Sequence, residues 1–244
     1  MKYYWRYLKY LLKSRHRRGF GVHSPYMFYF ITNVVEENLP FYRFVQLRNL
    51  RNLLEKTKKC VNGEKIADRA RSEYSQTYLE MLFRFVYAIK PKTVVELGTS
   101  IGLTTAYLAT PDSEATIYTE EQNKEWTDFA SMNFKKIGVK NIVQTNGDVW
   151  SRAESCDFLY ISKSYPTEKI LEAFQSAIAK KTNSFVAVIS DICRSDERIS
   201  VWEKMKREPS VRVSLEMHHY GLLFFDEKLQ RETYNLFYIP PFFS

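Results

Sequence analysis

The chain has 244 residues, 45% of them hydrophobic, and a net charge of +8, so it is long enough to bury a sizeable core. We expect no transmembrane helix, since no run of about 18 apolar residues occurs, and no signal peptide, since the basic N-terminus lacks an apolar core. Three scattered cysteines and the absence of a Cys/His cluster with metal-ligand spacing argue against a disulfide framework and a zinc site, and favour a cytoplasmic protein.

The positive charge is concentrated in the first part of the chain. Residues 1–71 contain 16 Lys and Arg against 5 Asp and Glu, whereas the remainder contains 20 against 23. We therefore predict a basic helical N-terminal region over 1–71 and a nearly neutral core domain over 72–244.

Residues 1–13 alternate aromatic and basic side chains at helical spacing. One predicted face carries Tyr4, Leu8, Leu11 and Leu12, and most of the charge lies elsewhere, on Lys2, Arg6, Lys9 and Lys13. Residues 1–18 could serve as a phosphate-binding arm for nucleic acid or as a contact to an anionic membrane surface. The alternative is an ordinary helix that packs on the domain or on a second subunit of a homo-oligomer.

Three further helices are predicted before the first strand of the core domain. Ser24 and Pro25 suit a helix start, because the hydroxyl caps free amides and proline is tolerated at the first helical position. The predicted helices are 24–37, 41–56 and 72–90, with the polar stretch 58–70 as a linker.

The most informative segment is a strand, 93–97, that runs into a glycine-containing turn and then a helix, 103–109. Gly98 and Gly102 suit a turn in which the backbone bends tightly and lets a ligand approach. The first turn of the following helix offers free N–H groups to a polar or anionic ligand. The segment therefore predicts a site for a nucleotide-like cofactor.

Acidic residues mark the ends of three predicted strands. Glu96 stands directly before the glycine turn, Glu121 follows the strand 115–119, and Asp148 follows the strand 141–145. A carboxylate at Glu121 can accept hydrogen bonds from two ribose hydroxyls, and Asp148 can meet an adenine amino group.

Strands and helices alternate from residue 93 onward, which is typical of a doubly wound α/β sheet. The last two strands are close enough in sequence to form an antiparallel hairpin. We predict a Rossmann-like, mostly parallel sheet of seven strands, which are 93–97, 115–119, 141–145, 157–161, 185–190, 211–216 and 221–225.

Together these features resemble the class I S-adenosylmethionine (SAM) dependent methyltransferases. The segment ELGTSIGLTTAYLA, from Glu96 to Ala109, resembles a bacterial group close to the small-molecule O-methyltransferases. The segments HSPY at 23–26, SDI at 190–192 and YGLLFF at 220–225 resemble further parts of that group. The resemblance implies SAM as cofactor, a small-molecule methyl acceptor, and cofactor contacts from Glu96, Gly98, Thr99, Ser100, Gly102, Glu121, Asp148 and Ser162.

The end of the fourth strand departs from the family pattern. Ser162 stands where the family commonly has an acid, and Tyr165 stands where a related group has a histidine. Serine is a poor base and a weak metal ligand, so we predict no metal site. Whether Ser162 marks lost activity stays open at this point.

Four residues are candidates for the proton acceptor, namely Asp191, Lys163, Tyr165 and His23. For Asp191 the alternative is a helix cap near Ser195 or an ion pair with Arg194. For His23 the alternative is a histidine bonded to backbone at a helix entry. His218 and His219 are expected in an exposed turn or dimer contact.

Three functions follow from these features. The first is an active methyltransferase that methylates oxygen or nitrogen of a small molecule. The second is a catalytically impaired relative that acts as a binding or interaction module, for which Ser162 is the best support. The third is an RNA methyltransferase that uses the basic N-terminal region, although no [DN]-P-P-[YF] motif for nucleobase amines is present.

Overall fold

The computed structural model describes residues 14–236 together with Trp5, Leu8, Tyr10, Leu12 and Tyr238. The backbone is helical at Trp5, Leu8, Tyr10 and Leu12. The other residues named for the predicted N-terminal helix, Lys2, Tyr4, Arg6, Lys9, Leu11 and Lys13, lie outside the described residues. A helix with the length and apolar character needed to span a bilayer is not found in the described part of the chain.

Helices alternate with strands through most of the chain. In chain order the helices are α1 (Pro25–Phe30), α2 (Tyr42–Lys56), α3 (Ile66–Ser72), α4 (Gln76–Ile89), α5 (Leu103–Ala109), α6 (Lys124–Lys136), α7 (Ile170–Ala179) and α8 (Asp196–Lys206). The strands are β1 (Cys60–Val61), β2 (Glu64–Lys65), β3 (Thr93–Leu97), β4 (Thr116–Glu120), β5 (Ile142–Thr145), β6 (Cys156–Ile161), β7 (Lys181–Ser190), β8 (Val213–Glu216), β9 (Tyr220–Phe224) and β10 (Glu232–Asn235).

The helix predicted at 24–37 begins as expected and ends early. The Ser24 hydroxyl accepts a hydrogen bond from the Met27 amide at 3.4 Å, which caps α1. A π-helical turn, Ile31–Val35, continues α1 and ends the helix two residues before the predicted boundary.

The stretch predicted as a linker is structured, so that prediction is wrong. β1 and β2 form an antiparallel hairpin around Asn62 and Gly63, whose φ angles of 49° and 74° are those of a two-residue hairpin turn. The following helix α3 buries Ile66, Ala67 and Ala70. The helix predicted over 72–90 therefore begins later, at Gln76, and a separate short helix precedes it.

Outside the β1–β2 hairpin, the described part of the chain contains eight strands, one more than predicted. The chain divides into two compact units, one from 1–37 and 155–239 and the other mainly from 38–154. The first unit holds strands in the order β10-β8-β9-β7-β6, and the second holds β3-β4-β5. The added strand is β10, which pairs parallel with β8.

The strand directions confirm the predicted mostly parallel α/β sheet with an antiparallel hairpin. β3, β4 and β5 pair in parallel, as do β6 and β7. β9 pairs antiparallel with both β7 and β8. β3 and α5 are almost wholly buried, which agrees with the mainly apolar sequence on either side of the glycine turn.

Candidate functional site

The turn between β3 and α5, residues 98–102, is here named the glycine loop. Its backbone adopts positive φ angles at Gly98 (97°), Ser100 (53°) and Gly102 (75°). The amides of Gly98 and Thr99 donate to the carbonyl of Glu120 at 3.0 and 3.1 Å, which anchors the loop to the end of β4. Serine rarely adopts a left-handed conformation, so this strained residue must be held by its surroundings.

Glu121 holds the strained residue in place. One carboxylate oxygen accepts from the Ser100 amide at 2.9 Å, and the other accepts from the Asn123 amide at 3.2 Å. The side chain is half-buried, and each carboxylate oxygen has a second lone pair. Glu121 can therefore fix the glycine loop and still accept hydrogen bonds from a ligand.

Glu96 is a buried carboxyl group beneath the glycine loop. Its Oε2 accepts from the hydroxyls of Thr105 and Thr119, each at 2.6 Å. Its Oε1 is buried and has no hydrogen-bond partner among the described residues. Burial raises the pKa of Glu96 to about 7.

The side of Gly102 that lacks a side chain faces α6. A Cβ atom there would lie 2.7 Å from the Phe134 ring and 3.0 Å from Ala130, so helix packing alone requires glycine at this position. Asn133 on the same helix donates from Nδ2 to the Ile101 carbonyl at 2.9 Å. A cofactor contact by Gly102 stays a prediction.

The acids that follow β4 and β5 have different roles. Glu120, one residue before Glu121, is buried and accepts from the Val149 amide at 3.1 Å. This hydrogen bond fixes the segment just after Asp148, whose own side chain is exposed. Glu120 therefore supports the structure, whereas the Asp148 carboxylate is accessible to a ligand.

Arg69 is a residue of this region that sequence reasoning missed. From α3 its Nε donates to the Ser100 hydroxyl at 2.8 Å, and its Nη1 donates to Glu64 at 2.6 Å. Its guanidinium carbon lies 4.5 Å from the centre of the Trp126 ring, within the range of a cation–π contact. The sequence gives no sign of this contact, because Arg69 lies 31 positions before Ser100.

In the other unit, the turn after β6 brings together three predicted site residues, Ser162, Lys163 and Tyr165. The Tyr165 amide donates to the Ser162 carbonyl at 3.1 Å, which closes the turn. The Ser162 hydroxyl is buried and lies 3.0 Å from the Ser164 hydroxyl. Ser162 is thus part of a hydroxyl pair rather than a base.

Two arginines from the segment before and within α8 hold this turn. The buried Arg198 donates to the carbonyls of Ser162 and Lys163 at 3.0 and 2.9 Å. Arg194 donates to the Lys163 carbonyl at 3.1 Å. Neither arginine was predicted to support this turn.

Asp191, directly after β7, lies beside a histidine. Its Oδ1 is 3.4 Å from Nδ1 of His219, and its amide donates to the His219 carbonyl at 2.6 Å. Its φ of 52° is in the left-handed region. The cap of α8 is the Ser195 hydroxyl, which accepts from the Arg198 amide at 3.1 Å, so the capping alternative for Asp191 is wrong.

The neighbouring histidines differ from their predicted exposure. His218 is buried, and burial lowers its pKa to about 4. His219 is half-buried against Asp191, so neither side chain is fully exposed. The expectation of an exposed turn is therefore wrong.

His23 is exposed and directly precedes the capping residue Ser24. Its catalytic role stays a prediction. In the part of the chain that the structure describes, no group of three or more His, Cys, Asp or Glu side chains could hold a metal ion.

No protein-family model and no curated protein matches the chain. Among solved structures, the O-methyltransferase of Bacillus cereus in complex with SAH has a TM-score of 0.58 at 17% identity, over 78% of this chain and 93% of that chain. The O-methyltransferase TomG of Streptomyces achromogenes in complex with SAM has 0.55 at 13%, over 81% and 94%. The SAH-bound methyltransferase of Podospora anserina has 0.61 at 12%, over 78% and 98%.

The chain has a methyltransferase fold. The resemblance predicted from the glycine segment is thereby confirmed at the level of the fold, with matches that span most of this chain and nearly all of each neighbour. At these identities the likeness shows the fold alone, and the function must be argued from the site.

Proposed function

We propose that the chain binds SAM at the glycine loop and transfers its methyl group to an oxygen or nitrogen atom of a small molecule. The observation that carries this proposal is the hydrogen bond from the Ser100 amide to Glu121. It fixes a strained loop at the carboxyl end of parallel strands, which is where open α/β sheets bind nucleotide-like ligands. It also leaves the Glu121 carboxylate half-exposed beside that loop.

The residues present suit this cofactor. Glu121 and Asp148 offer carboxylate acceptors for ribose hydroxyls and for an adenine amino group. The buried Oε1 of Glu96 has no partner among the described residues, and a polar group of a bound ligand would satisfy it. When bound, SAM supplies an electrophilic methyl group on a sulfonium, so the protein has mainly to position the acceptor and receive its proton.

Asp191 is the acid that we propose as the proton acceptor, with His219 as its partner. A carboxylate close to an imidazole is a common arrangement for general acid–base catalysis. Ser162, in the position where the family usually has an acid, is a poor base because a neutral hydroxyl has little tendency to take up a proton. Lys163 and Tyr165 are the alternative acceptors from the turn after β6.

The test is transfer of a labelled methyl group from SAM to a panel of small phenols, catechols and amines. We expect labelled product with at least one acceptor class and a large fall in kcat for Asp191→Asn. Asparagine keeps the shape of aspartate and tolerates the left-handed backbone at this position. The matched control is Glu197→Gln, an exposed acid at the start of α8, which should leave kcat unchanged.

The same assay separates the proposed function from its alternatives. Binding of SAM without transfer to any acceptor would favour the catalytically impaired binding module. Transfer to a structured RNA included in the panel, but to no small molecule, would favour the RNA methyltransferase. Equal kcat for wild type and Asp191→Asn, at every pH tested, would remove Asp191 from the mechanism.

A further inference from the structure

The N-terminal helical segment presents an apolar face to solvent. Trp5, Leu8 and Leu12 are 66%, 49% and 83% exposed, and the backbone at each is helical. Spacings of three and four residues place these side chains on one side of a helix. Exposed Trp and Leu side chains in a row mark an interaction surface, because each exposes apolar area to water.

The opposite side of this segment is held against the protein. Tyr10 is only 7% exposed, and its hydroxyl donates to the Leu236 carbonyl. Its ring lies 5.5 Å from the ring of His218. These contacts fix which side of the segment faces outward, so the exposure of Trp5, Leu8 and Leu12 follows from how Tyr10 docks.

Exposed aromatic side chains continue along the next part of the same unit. Phe20, Phe28 and Tyr29 are exposed. A Cβ atom at Gly19 would lie 2.4 Å from the Phe28 ring, so Phe28 packs directly on Gly19, the residue before Phe20. Exposed aromatic side chains are therefore found both in the helical segment and near the start of α1.

All formal charge in this part of the chain is positive. Residues 1–35 contain no Asp or Glu, and their seven Lys and Arg are Lys2, Arg6, Lys9, Lys13, Arg15, Arg17 and Arg18. The side chains of Arg15 and Arg18 are exposed. The apolar face is therefore part of a strongly basic segment.

We propose that this segment, the basic aromatic face (residues 5–29), binds the surface of an anionic phospholipid bilayer. Trp, Tyr, Phe and Leu side chains enter the boundary between headgroups and acyl chains, while Lys and Arg attract anionic lipid headgroups. The charge complementarity and the outward apolar row each supply one of the two signals that reversible membrane attachment needs. The proposal does not depend on methyl transfer.

Two other binding partners for the basic aromatic face, a second copy of the chain and a nucleic acid, agree less well with these observations. In a symmetric dimer the same patch meets itself, which would bring together two segments that each carry six Lys and Arg and no Asp or Glu. A nucleic acid would use the cations, but phosphate contacts leave the exposed Leu8 and Leu12 without a function.

The experiment is sedimentation of the full chain with vesicles of phosphatidylcholine alone and of phosphatidylcholine and phosphatidylglycerol in equal parts. We expect the wild type to bind only the anionic vesicles, and less as salt is added. Trp5→Ser with Leu12→Ser should weaken that binding at least about tenfold, whereas Trp5→Phe should retain it. Lys9→Glu with Lys13→Glu should remove the preference for anionic lipid.

The matched control is Tyr42→Ser with Leu53→Ser, an aromatic and a leucine that are 90% and 52% exposed on α2. This variant should bind vesicles as the wild type does. Equal thermal unfolding of all variants would show that the substitutions leave the fold intact, which is expected for the exposed Trp5, Leu12, Tyr42 and Leu53.

Several outcomes would overturn the proposal. They are equal binding to both kinds of vesicle, no binding to anionic vesicles, and an equal loss in the α2 control. Light scattering that shows a wild-type dimer, converted to monomer by Trp5→Ser with Leu12→Ser, would assign the face to a second copy. Binding to RNA that depends on Lys9 and Lys13 but not on Trp5 would assign the segment to nucleic acid.

Discussion

The glycine loop and the turn after β6 are both loops that follow a parallel strand, yet the charged side chains bonded to their backbones differ. In the glycine loop, carboxylates accept hydrogen bonds from backbone amides and hydroxyls, as Glu121 does from Ser100. In the turn after β6, arginines donate to backbone carbonyls, as Arg198 does to Ser162 and Lys163. A carboxylate thus holds a backbone amide of the first loop, whereas guanidinium groups hold backbone carbonyls of the second.

This difference assigns distinct chemistry to the two regions. Acceptors such as Glu96, Glu121 and Asp148 suit a ligand with hydroxyl and amino donors, as SAM has. The turn after β6 offers cations and hydroxyls but no carboxylate. A carboxylate proton acceptor in that unit must therefore come from a neighbouring segment, and we propose Asp191, which lies beside His219, for this role.

The largest expected effect comes from filling the glycine loop. Gly98→Arg should weaken SAM binding at least about a thousandfold, because the φ of 97° strains any side chain and the arginine would occupy the bend of the loop. Binding is measured by equilibrium dialysis. The control is Gly138→Ala, also at a positive φ of 68° but with open space around its Cβ position, which should lose stability and keep SAM affinity. Equal affinities for the two variants would contradict the assignment.

The second prediction concerns the buried carboxyl group of Glu96. The pKa of Glu96 is about 7 in the folded state, above the ordinary value of 4.5. Between pH 4.5 and 7, the folded state therefore keeps a proton on this group that the unfolded state releases. The stability of the wild type should therefore fall as pH rises from about 5 to 7, by about 3 kcal/mol in total from this group. Glu96→Gln should lack this fall in urea unfolding measured across that range. The exposed Glu168→Gln, as control, should keep the wild-type slope.

The third prediction concerns Arg198, which donates hydrogen bonds to the turn after β6. Arg198→Met should lower the free energy of unfolding by about 2 kcal/mol, because the Ser162 and Lys163 carbonyls lose charge-assisted hydrogen bonds. SAM affinity should change little, since this residue supports the turn after β6. The exposed Arg207→Met, just after α8, is the control for removal of a charge. If Arg198→Met lowered SAM affinity without lowering the free energy of unfolding, Arg198 would serve ligand binding and not the stability of the turn after β6.

The smallest effect concerns the support of the glycine loop. Arg69→Ala should weaken SAM binding about tenfold, because the Ser100 hydroxyl loses its donor and the loop is less well ordered before the ligand binds. Arg71→Ala on the same helix is the control, since Arg71 pairs with Asp68 at the surface. Titration of both variants with SAM decides the prediction, and equal affinities would show that Arg69 does not support the loop.

The segments with one strong local pattern could be predicted from the sequence. The strand Thr93–Leu97 and the helix Leu103–Ala109 have the predicted bounds, because β-branched residues indicate the strand and the glycine turn separates it from the helix. The hairpin turn at Asn62 and Gly63 was missed although Asn-Gly is a strong turn signal, since its strands have only two residues each. β10 was missed because its sequence, ETYN, carries no apolar alternation.

The contacts of the candidate site depend on residues far apart in sequence, which patterns within one segment do not reveal. Glu121 was predicted as a ligand residue, and the structure adds its bond to Ser100, 21 positions earlier. No sequence pattern pointed to the contacts of Arg69, Arg198 and His219. An arginine or histidine that bonds to a distant residue cannot be told from a surface residue in the sequence alone.

The most direct test of the account is a calorimetric titration of the full chain with SAM and, separately, with its demethylated product SAH (S-adenosylhomocysteine). The account predicts saturable binding of both at one site per chain. The absence of heat in a protein shown to be folded by its thermal unfolding would contradict it, and the glycine loop would then be only a structural turn of the methyltransferase fold.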